Sequence, residues 1–286
     1  MLINLKKMLD IANQNRFAVP SFNISDYSMM NGIFEVSEEK RSPLIIAIHP
    51  DELSHIGPEA VSAIREKAHR ATIPVCIHLD HGSSFEQIMT AIRYGFTSVM
   101  IDGSCLPFRE NIEICQKTVE AAHAVGVSVE GELGTIGSTD SEAECGSDAI
   151  IYTNPDDAVK FVEATKVDAL AVAIGTSHGI YPKGMTPELK LDLLKEIKAK
   201  ASIPLVLHGG SNNDDREISE AVALGINKIN ISSDIKIAYY DRMREVLKNP
   251  SLREPNTIQP PCVEAMKKVA GQKIELFRAE GKASLY

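Results

Sequence analysis

The stretch that decides the fold is Pro74-Val-Cys-Ile-His-Leu-Asp-His-Gly82. It opens with an apolar run that does not alternate with polar residues. That is the pattern of a strand covered on both faces, as in a parallel sheet. It ends in an acid, a histidine and a glycine. The next segment reads as a helix, because Phe85, Ile88, Met89 and Ile92 follow the 0, 3, 4, 7 spacing of one apolar stripe. Together they form a βα unit with reactive side chains where the strand gives way to the loop.

Working outward, the same unit recurs. Strands are predicted at Phe17–Asn23, Pro43–Ile48, Pro74–Asp80, Ser98–Asp102, Ser128–Leu133, Ala169–Gly175, Pro204–His208 and Lys228–Ser232. Asn154-Pro155-Asp156-Asp157 reads as a helix start, with a capping amide, proline at the first helical position and acids at the positive helix end. Thr186-Pro187-Glu188 repeats the signal before a helix expected over Leu189–Ala199. Eight such units in 286 residues predict an α/β fold, a (β/α)8 TIM barrel in one domain over residues 1–286. A helical C-terminal segment is expected over about 234–286, with a proline-rich break at Pro250–Pro261. The alternative, a doubly wound open sheet, would usually carry a glycine-rich turn after its first strand. Here that position reads Ser21-Phe-Asn-Ile-Ser25. The longest irregular stretch, Gly134–Tyr152, follows strand five, and loops of that length in compact domains are usually functional.

Composition narrows the function. Hydrophobic residues make up 44% and charged residues 24%, which suits a packed globular core. The net charge of −9 argues against a nucleic-acid groove or an anionic membrane surface, since both need clustered Lys and Arg. No apolar run approaches the roughly eighteen residues of a membrane span. The first residues, Met-Leu-Ile-Asn-Leu-Lys-Lys, lack a signal-peptide hydrophobic stretch. Five cysteines, an odd count with no C-x-x-C, suit a reducing cytoplasm.

Three histidines stand at predicted strand ends, each followed by glycine: His81-Gly82, His178-Gly179 and His208-Gly209. One histidine so placed is more often a hydrogen-bonded structural residue. Three converging on one barrel mouth match a catalytic zinc, which keeps a position open for substrate. Asp80 precedes the first. Neighbours in an extended strand point to opposite sides, so Asp80 is read as an acid/base group rather than a co-ligand. Asp102 ends strand four, and Glu130 and Glu132 share one side of strand five. These carboxylates are read as hydrogen-bond partners that orient the histidines or as an alternative metal position. Gly209-Gly210-Ser211 after strand seven and Asn230-Ile231-Ser232-Ser233-Asp234 at strand eight sit where barrels bind phosphate. Lys183 is a candidate cation nearby, with a solvated loop lysine as the equal alternative.

The chain resembles the class II, zinc-dependent ketose-bisphosphate aldolases, and within them is most similar to the tagatose-bisphosphate branch. The motifs that carry the resemblance are Ala-Val-Pro-Ser-Phe-Asn-Ile (18–24), His-Leu-Asp-His-Gly (78–82), Ser-Val-Met-Ile-Asp-Gly-Ser (98–104), Ser-Val-Glu-Gly-Glu-Leu-Gly (128–134), Leu-Ala-Val-Ala-Ile-Gly-Thr-Ser-His-Gly (170–179), Pro-Leu-Val-Leu-His-Gly-Gly-Ser (204–211) and Lys-Ile-Asn-Ile (228–231). The resemblance implies zinc on His81, His178 and His208, with Asp80 as proton donor to the aldehyde oxygen. It implies a dihydroxyacetone phosphate site at Gly179, Gly209–Ser211 and Asn230–Ser233, and counts Asn23 among the substrate-binding residues. Asp102 and Glu132 match an alternative metal position. A monovalent cation (Na+ or K+) near the phosphate and a homodimer or homotetramer also follow from the resemblance.

Three departures stand out. The family loop after strand five usually reads Gly-Gly-x-Glu-Asp, and its glutamate is a candidate base. Here Gly137-Ser-Thr-Asp-Ser141 leaves Asp140 at that position. Strand two, normally ended by Ser or Thr, ends Ile48-His49-Pro50. The family's C-terminal Asp-Pro-Arg is replaced by Glu254-Pro255-Asn256, with Arg253 close by. The expected function is zinc-dependent cleavage of a ketose 1,6-bisphosphate or 1-phosphate, with weaker selection for a 6-phosphate. The alternatives are a non-catalytic phosphosugar-binding or partner subunit on the same barrel and, more weakly, a zinc hydrolase.

Overall fold

The computed structural model describes residues 1–138, 150–179 and 188–286; the side chains of Gly137, Ser138 and His178 are outside that description. Eight parallel strands form a closed barrel. They are β1 (Val19–Asn23), β2 (Leu44–Ile48), β3 (Val75–Gly82), β4 (Ser98–Ile101), β5 (Ser128–Leu133), β6 (Ala169–Val172), β7 (Leu205–Leu207) and β8 (Ile226–Ile231). Consecutive strands are neighbours, and β8 closes the ring on β1 with Val19 opposite Lys228 and Ser21 opposite Asn230. Every residue of these strands is buried, as the unbroken apolar runs predict for strands packed on both faces.

Helices occupy the outer layer and the lower end. Helix α1 (Leu5–Asn15) buries Leu5, Met8, Leu9 and Ala12, one face of a 3.6-residue period. It lies against β3, β5, β6 and β8. Lys6 N donates to Ser128 Oγ at the first residue of β5, and Ile3 N to Val75 O at the first residue of β3. These contacts seal the N-terminal end of the barrel. Each large apolar side chain buried there stabilises the fold by roughly 1.5–3 kcal/mol. The opposite end, where the strand C-termini point, is left to polar chemistry.

The helices that bear on the site follow the expected local signals. The helix expected after β3 runs Phe85–Tyr94, capped by Ser84 and stopped by Gly95 in the left-handed region. Asn154 caps the helix Pro155–Thr165, its side chain accepting from Asp156 N and Asp157 N. Two expectations need correction. The helix expected from Leu189 begins at Leu191, with Lys190 at the cap and no side-chain cap bond; Thr186 and Pro187 lie outside the described residues. The proline break is shorter than expected. After the helix Ser233–Val246, the last long helix runs Pro255–Leu276 with Pro260 and Pro261 inside it. It packs on Ser233–Val246 and on the helix Tyr27–Glu39, burying Cys262, Met266, Ala270 and Ile274. That packing outweighs the hydrogen bonds the prolines forfeit.

Cys76, Cys115 and Cys262 are buried free thiols, whereas Cys105, just past β4, is disulfide-bonded. The sequence spacing did not anticipate that bond. Among the described residues no helix is long and apolar enough to cross a membrane.

Gly82, at the end of β3, has no room for a side chain. A Cβ there would lie 2.7 Å from Met100 O and 2.8 Å from Ile88 Cδ1. Gly82→Ala is expected to destabilise the protein by about 1–3 kcal/mol through overpacking. The measurement is a lower urea midpoint at unchanged m-value.

Candidate functional site

The C-terminal ends of β1, β3, β4, β5, β7 and β8 deliver one connected polar group. His81 Nε2 lies 2.7 Å from His208 Nδ1, with the rings at 87° and their centroids 4.5 Å apart. Each ring's far nitrogen rests on a carboxylate. His81 Nδ1 is 3.0 Å from Asp102 Oδ2, and His208 Nε2 is 2.8 Å from Glu130 Oε1. A carboxylate fixes the proton on the nitrogen that faces it, which aims the lone pair of the other nitrogen outward. The two facing nitrogens would repel at 2.7 Å without a cation or a shared proton between them. Their donor set therefore fits a divalent metal ion. The ligand atoms of Asp80, His81 and His208 all lie within 4.8 Å of one another, as do those of His81, Asp102 and Glu132.

One expectation fails here for a clear reason. Strand alternation was expected to turn Asp80 and His81 to opposite sides. His81 instead has φ 51°, in the left-handed region, and the β3–β4 register shifts between Leu79 and Gly82. The irregularity cancels the alternation and brings both side chains to the mouth. A left-handed non-glycine residue costs roughly 1–2 kcal/mol, which the surrounding contacts offset.

Asp80 is almost wholly buried and held from both sides. Asn23 Nδ2 donates to its Oδ2 and Asn230 Nδ2 to its Oδ1, each at 2.9 Å. Burial alone would raise its pKa, but the charges of His81, Lys228 and His208 hold it well below the usual carboxylate range. Asn23 and Asn230, expected to bind substrate, thus first orient Asp80. Asn23 Nδ2 is in turn 3.3 Å from Glu52 Oε2, and Glu52 Oε1 receives Ser25 Oγ at 3.2 Å and Lys236 Nζ at 2.6 Å. The sequence reading missed Glu52. Its signal was a capping-box spacing: His49 Nδ1 accepts from Asp51 N, and Glu52 accepts from His49 N at 2.9 Å. The His49 ring, at the departure noted after strand two, sits 6.4 Å from that of His81. Arg253, by contrast, is a surface side chain 3.6 Å from Glu254.

The second miss was Lys228. The sequence pattern puts it at the opening of strand eight, but β8 starts at Ile226 and Lys228 lies inside the barrel wall, fully buried. Its Nζ is 3.0 Å from Glu130 Oε1 and 3.4 Å from His78 Nε2. His78 Nδ1 is 2.8 Å from Ser98 Oγ. Burial first, and then Lys228, lowers the His78 pKa to about 3, so this ring is neutral. The signal was a lone cation among the isoleucines of Ile226-Asn-Lys-Ile-Asn-Ile231.

The expected phosphate loops come to the same mouth. Gly209 has φ 62° and Gly179 φ 90°. A Cβ on Gly209 would meet Ser177 O at 2.5 Å, so the loop after β7 lies against the short strand Ser177–His178. That strand pairs in parallel with Gly137–Ser138. His178 is described at its backbone only, which this contact brings close to the loop bearing His208. Gly210 N is not free for a ligand, because it donates to Asn230 O at 3.1 Å and ties the loop to β8. Ser211 Oγ accepts from Asp234 N at 3.3 Å. Ile231 is buried within β8, and the helix Ser233–Val246, with Ser232 at its cap, starts without a side-chain cap bond. Of its first N–H groups, that of Asp234 is the one bound to Ser211 Oγ, which ties the helix start to the loop after β7. Asp140 and Lys183 lie outside the described residues.

Residues 3–282 match the family model described as fructose-bisphosphate aldolase class-II. The chain is 40% identical over 287 residues to a fructose-bisphosphate aldolase of Staphylococcus epidermidis, covering 99% of each chain. It is 38% identical over 282 residues to the D-tagatose-1,6-bisphosphate aldolase subunit GatY of Klebsiella oxytoca, covering 98% of this chain and 99% of that one. Among solved structures, the YdjI aldolase of Escherichia coli K12 is similar with a TM-score of 0.87 and 33% identity, covering 99% of this chain and 100% of that one.

Asp102 gives the most direct test of the metal reading. Asp102→Asn replaces the anionic acceptor of the His81 Nδ1 proton with a neutral one. Divalent metal affinity is expected to fall roughly 10–100-fold, measured by competition with a chromophoric chelator, with the circular dichroism spectrum unchanged.

Proposed function

This chain belongs to the class II fructose-bisphosphate aldolase family, and on that footing we propose that it reversibly cleaves a ketose 1,6-bisphosphate of the fructose or tagatose type, or a ketose 1-phosphate. The products are dihydroxyacetone phosphate and an aldehyde such as glyceraldehyde 3-phosphate. The observation that carries this reading is the His81–His208 pair, each ring backed by a carboxylate, beside an Asp80 held ionised between two amides.

Zinc is the assigned ion, with His81, His178 and His208 as its ligands and Asp102 and Glu132 as a second set. When bound it supplies a Lewis acid for the negative charge that develops on the substrate's carbonyl oxygen. The side chains do the rest. In cleavage, Asp80 accepts the C4 hydroxyl proton; in condensation it returns it. Asn23 and Asn230 keep that carboxylate from turning away. Asp140 is assigned the proton exchange at the carbon next to the carbonyl. Gly179, Gly209, Ser211 and Asn230–Ser233 are assigned to the phosphate site, with Gly210 shaping its loop through the bond to Asn230 O, and Lys183 and a sodium or potassium ion as further charge. The start of the helix Ser233–Val246, held beside Ser211 by the Asp234 N bond, supports that assignment. A homodimer or homotetramer working in the cytoplasm completes the proposal.

A Schiff-base route through Lys228 is not supported, since its ammonium is fully buried against Glu130 and His78. A purely binding role leaves the doubly held Asp80 without a purpose.

Chelation should remove cleavage activity, and zinc alone should restore it. Asp80→Ala is expected to lower kcat by roughly 10²–10⁴-fold at unchanged zinc content; loss of zinc would reassign Asp80 to the metal. A panel of phosphorylated ketoses tests the altered aldehyde half. The expected outcome is measurable kcat/KM for a ketose 1-phosphate, and an inert 1-phosphate beside an ordinary bisphosphate value would refute it.

A further inference from the structure

The barrel contains a buried ion pair that touches no expected substrate atom. Lys228, Glu130 and His78 are each fully buried, and His208 nearly so. Lys228 Nζ donates to Glu130 Oε1 and is equally 3.0 Å from Oε2. Glu130 Oε1 also receives His208 Nε2 at 2.8 Å. The third direction of the ammonium meets His78 Nε2 at 3.4 Å, and His78 is anchored by Ser98 Oγ at 2.8 Å. One carboxylate oxygen is therefore shared between a fixed cation and a histidine of the candidate metal centre.

We propose that Lys228 is a positioning residue for that centre. Its ammonium holds Glu130 by a hydrogen bond to Oε1 and an ion-pair contact with Oε2, and the clamped Glu130 sets the rotation of the His208 ring, so that Nδ1 faces His81 Nε2. The chain of contacts runs from Ser98 on β4 through His78 on β3 and Lys228 on β8 to Glu130 on β5. Four strands of the closed barrel thus fix one imidazole. A carboxylate without the clamp could rotate about its last bond and take His208 with it. The inference rests on the reading of His208 as a metal ligand.

The test uses the full chain, stripped of metal and titrated with zinc against a chromophoric chelator. Lys228→Met keeps an unbranched side chain one atom shorter and removes the clamp. The expected result is zinc affinity weakened roughly 10–100-fold, with a changed imidazole ¹⁵N pattern for His208 in the metal-free protein. Because this variant leaves Glu130 as a buried carboxylate without its lysine cation, the double variant Lys228→Met with Glu130→Gln is measured beside it. The double variant is expected to regain the thermal midpoint but not the zinc affinity. If it regains both, Lys228 only balances charge and the proposal is overturned. Unchanged zinc affinity in a folded Lys228→Met variant, with His208→Ala losing zinc, also overturns it while leaving the metal reading intact. Wild-type zinc affinity in His208→Ala overturns both.

Discussion

The pairing of β8 with β1 closes the barrel, and every contact at its mouth depends on that closure. The register puts Ser21 opposite Asn230, which leaves Asn23 and Asn230 on either side of Asp80. It also points Lys228 inward, toward Glu130. A slip of one residue would turn β8 over. Ile229 would then face the polar interior, and Lys228 and Asn230 would face the helix layer. A closed barrel resists such a slip because every strand is paired on both sides and none has a free edge. The hydrophobic seal made by α1 at the opposite end lets the upper end carry so many buried charges without losing the fold.

Much of this architecture was legible in the sequence, because strands buried on both faces are written as unbroken apolar runs. All eight runs became barrel strands. Their ends were less legible. Strand β8 begins at Ile226, but Asn227 and Lys228 look like loop residues until their partners are known. A lysine inside a parallel strand is tolerated only because Glu130 and His78 meet it, and those lie far away in sequence. The helix through Pro260 and Pro261 is a similar case, since local propensity argues for a break and tertiary packing decides otherwise.

The site divides in the same way. His81 and His208 could be located, because a strand end in a barrel has one destination. Their orientation could not. Strand parity separates Asp80 from His81, whereas the left-handed backbone at His81 reunites them. That conformation is held by contacts from β4 and its loop, including Asp102 against the ring, and nothing local to His81 encodes it. Asn23 and Asn230 were recognised as site residues, but their engagement with Asp80 follows from the register of three strands. Glu52 escaped because its spacing signals a helix cap, and it serves as one while also reaching Asn23.

The grip on Asp80 has a stereochemical consequence. Fructose and tagatose bisphosphates are epimers at C4, the carbon whose hydroxyl surrenders its proton in cleavage. A carboxylate pinned at both oxygens cannot swing to follow that hydroxyl from one face of the sugar chain to the other. Under the proposed role, it is the sugar that must rotate to present either epimer to a stationary acceptor. Handedness would then be set by whatever steers the rest of the sugar chain, and one proton-transfer apparatus could serve both epimers unchanged.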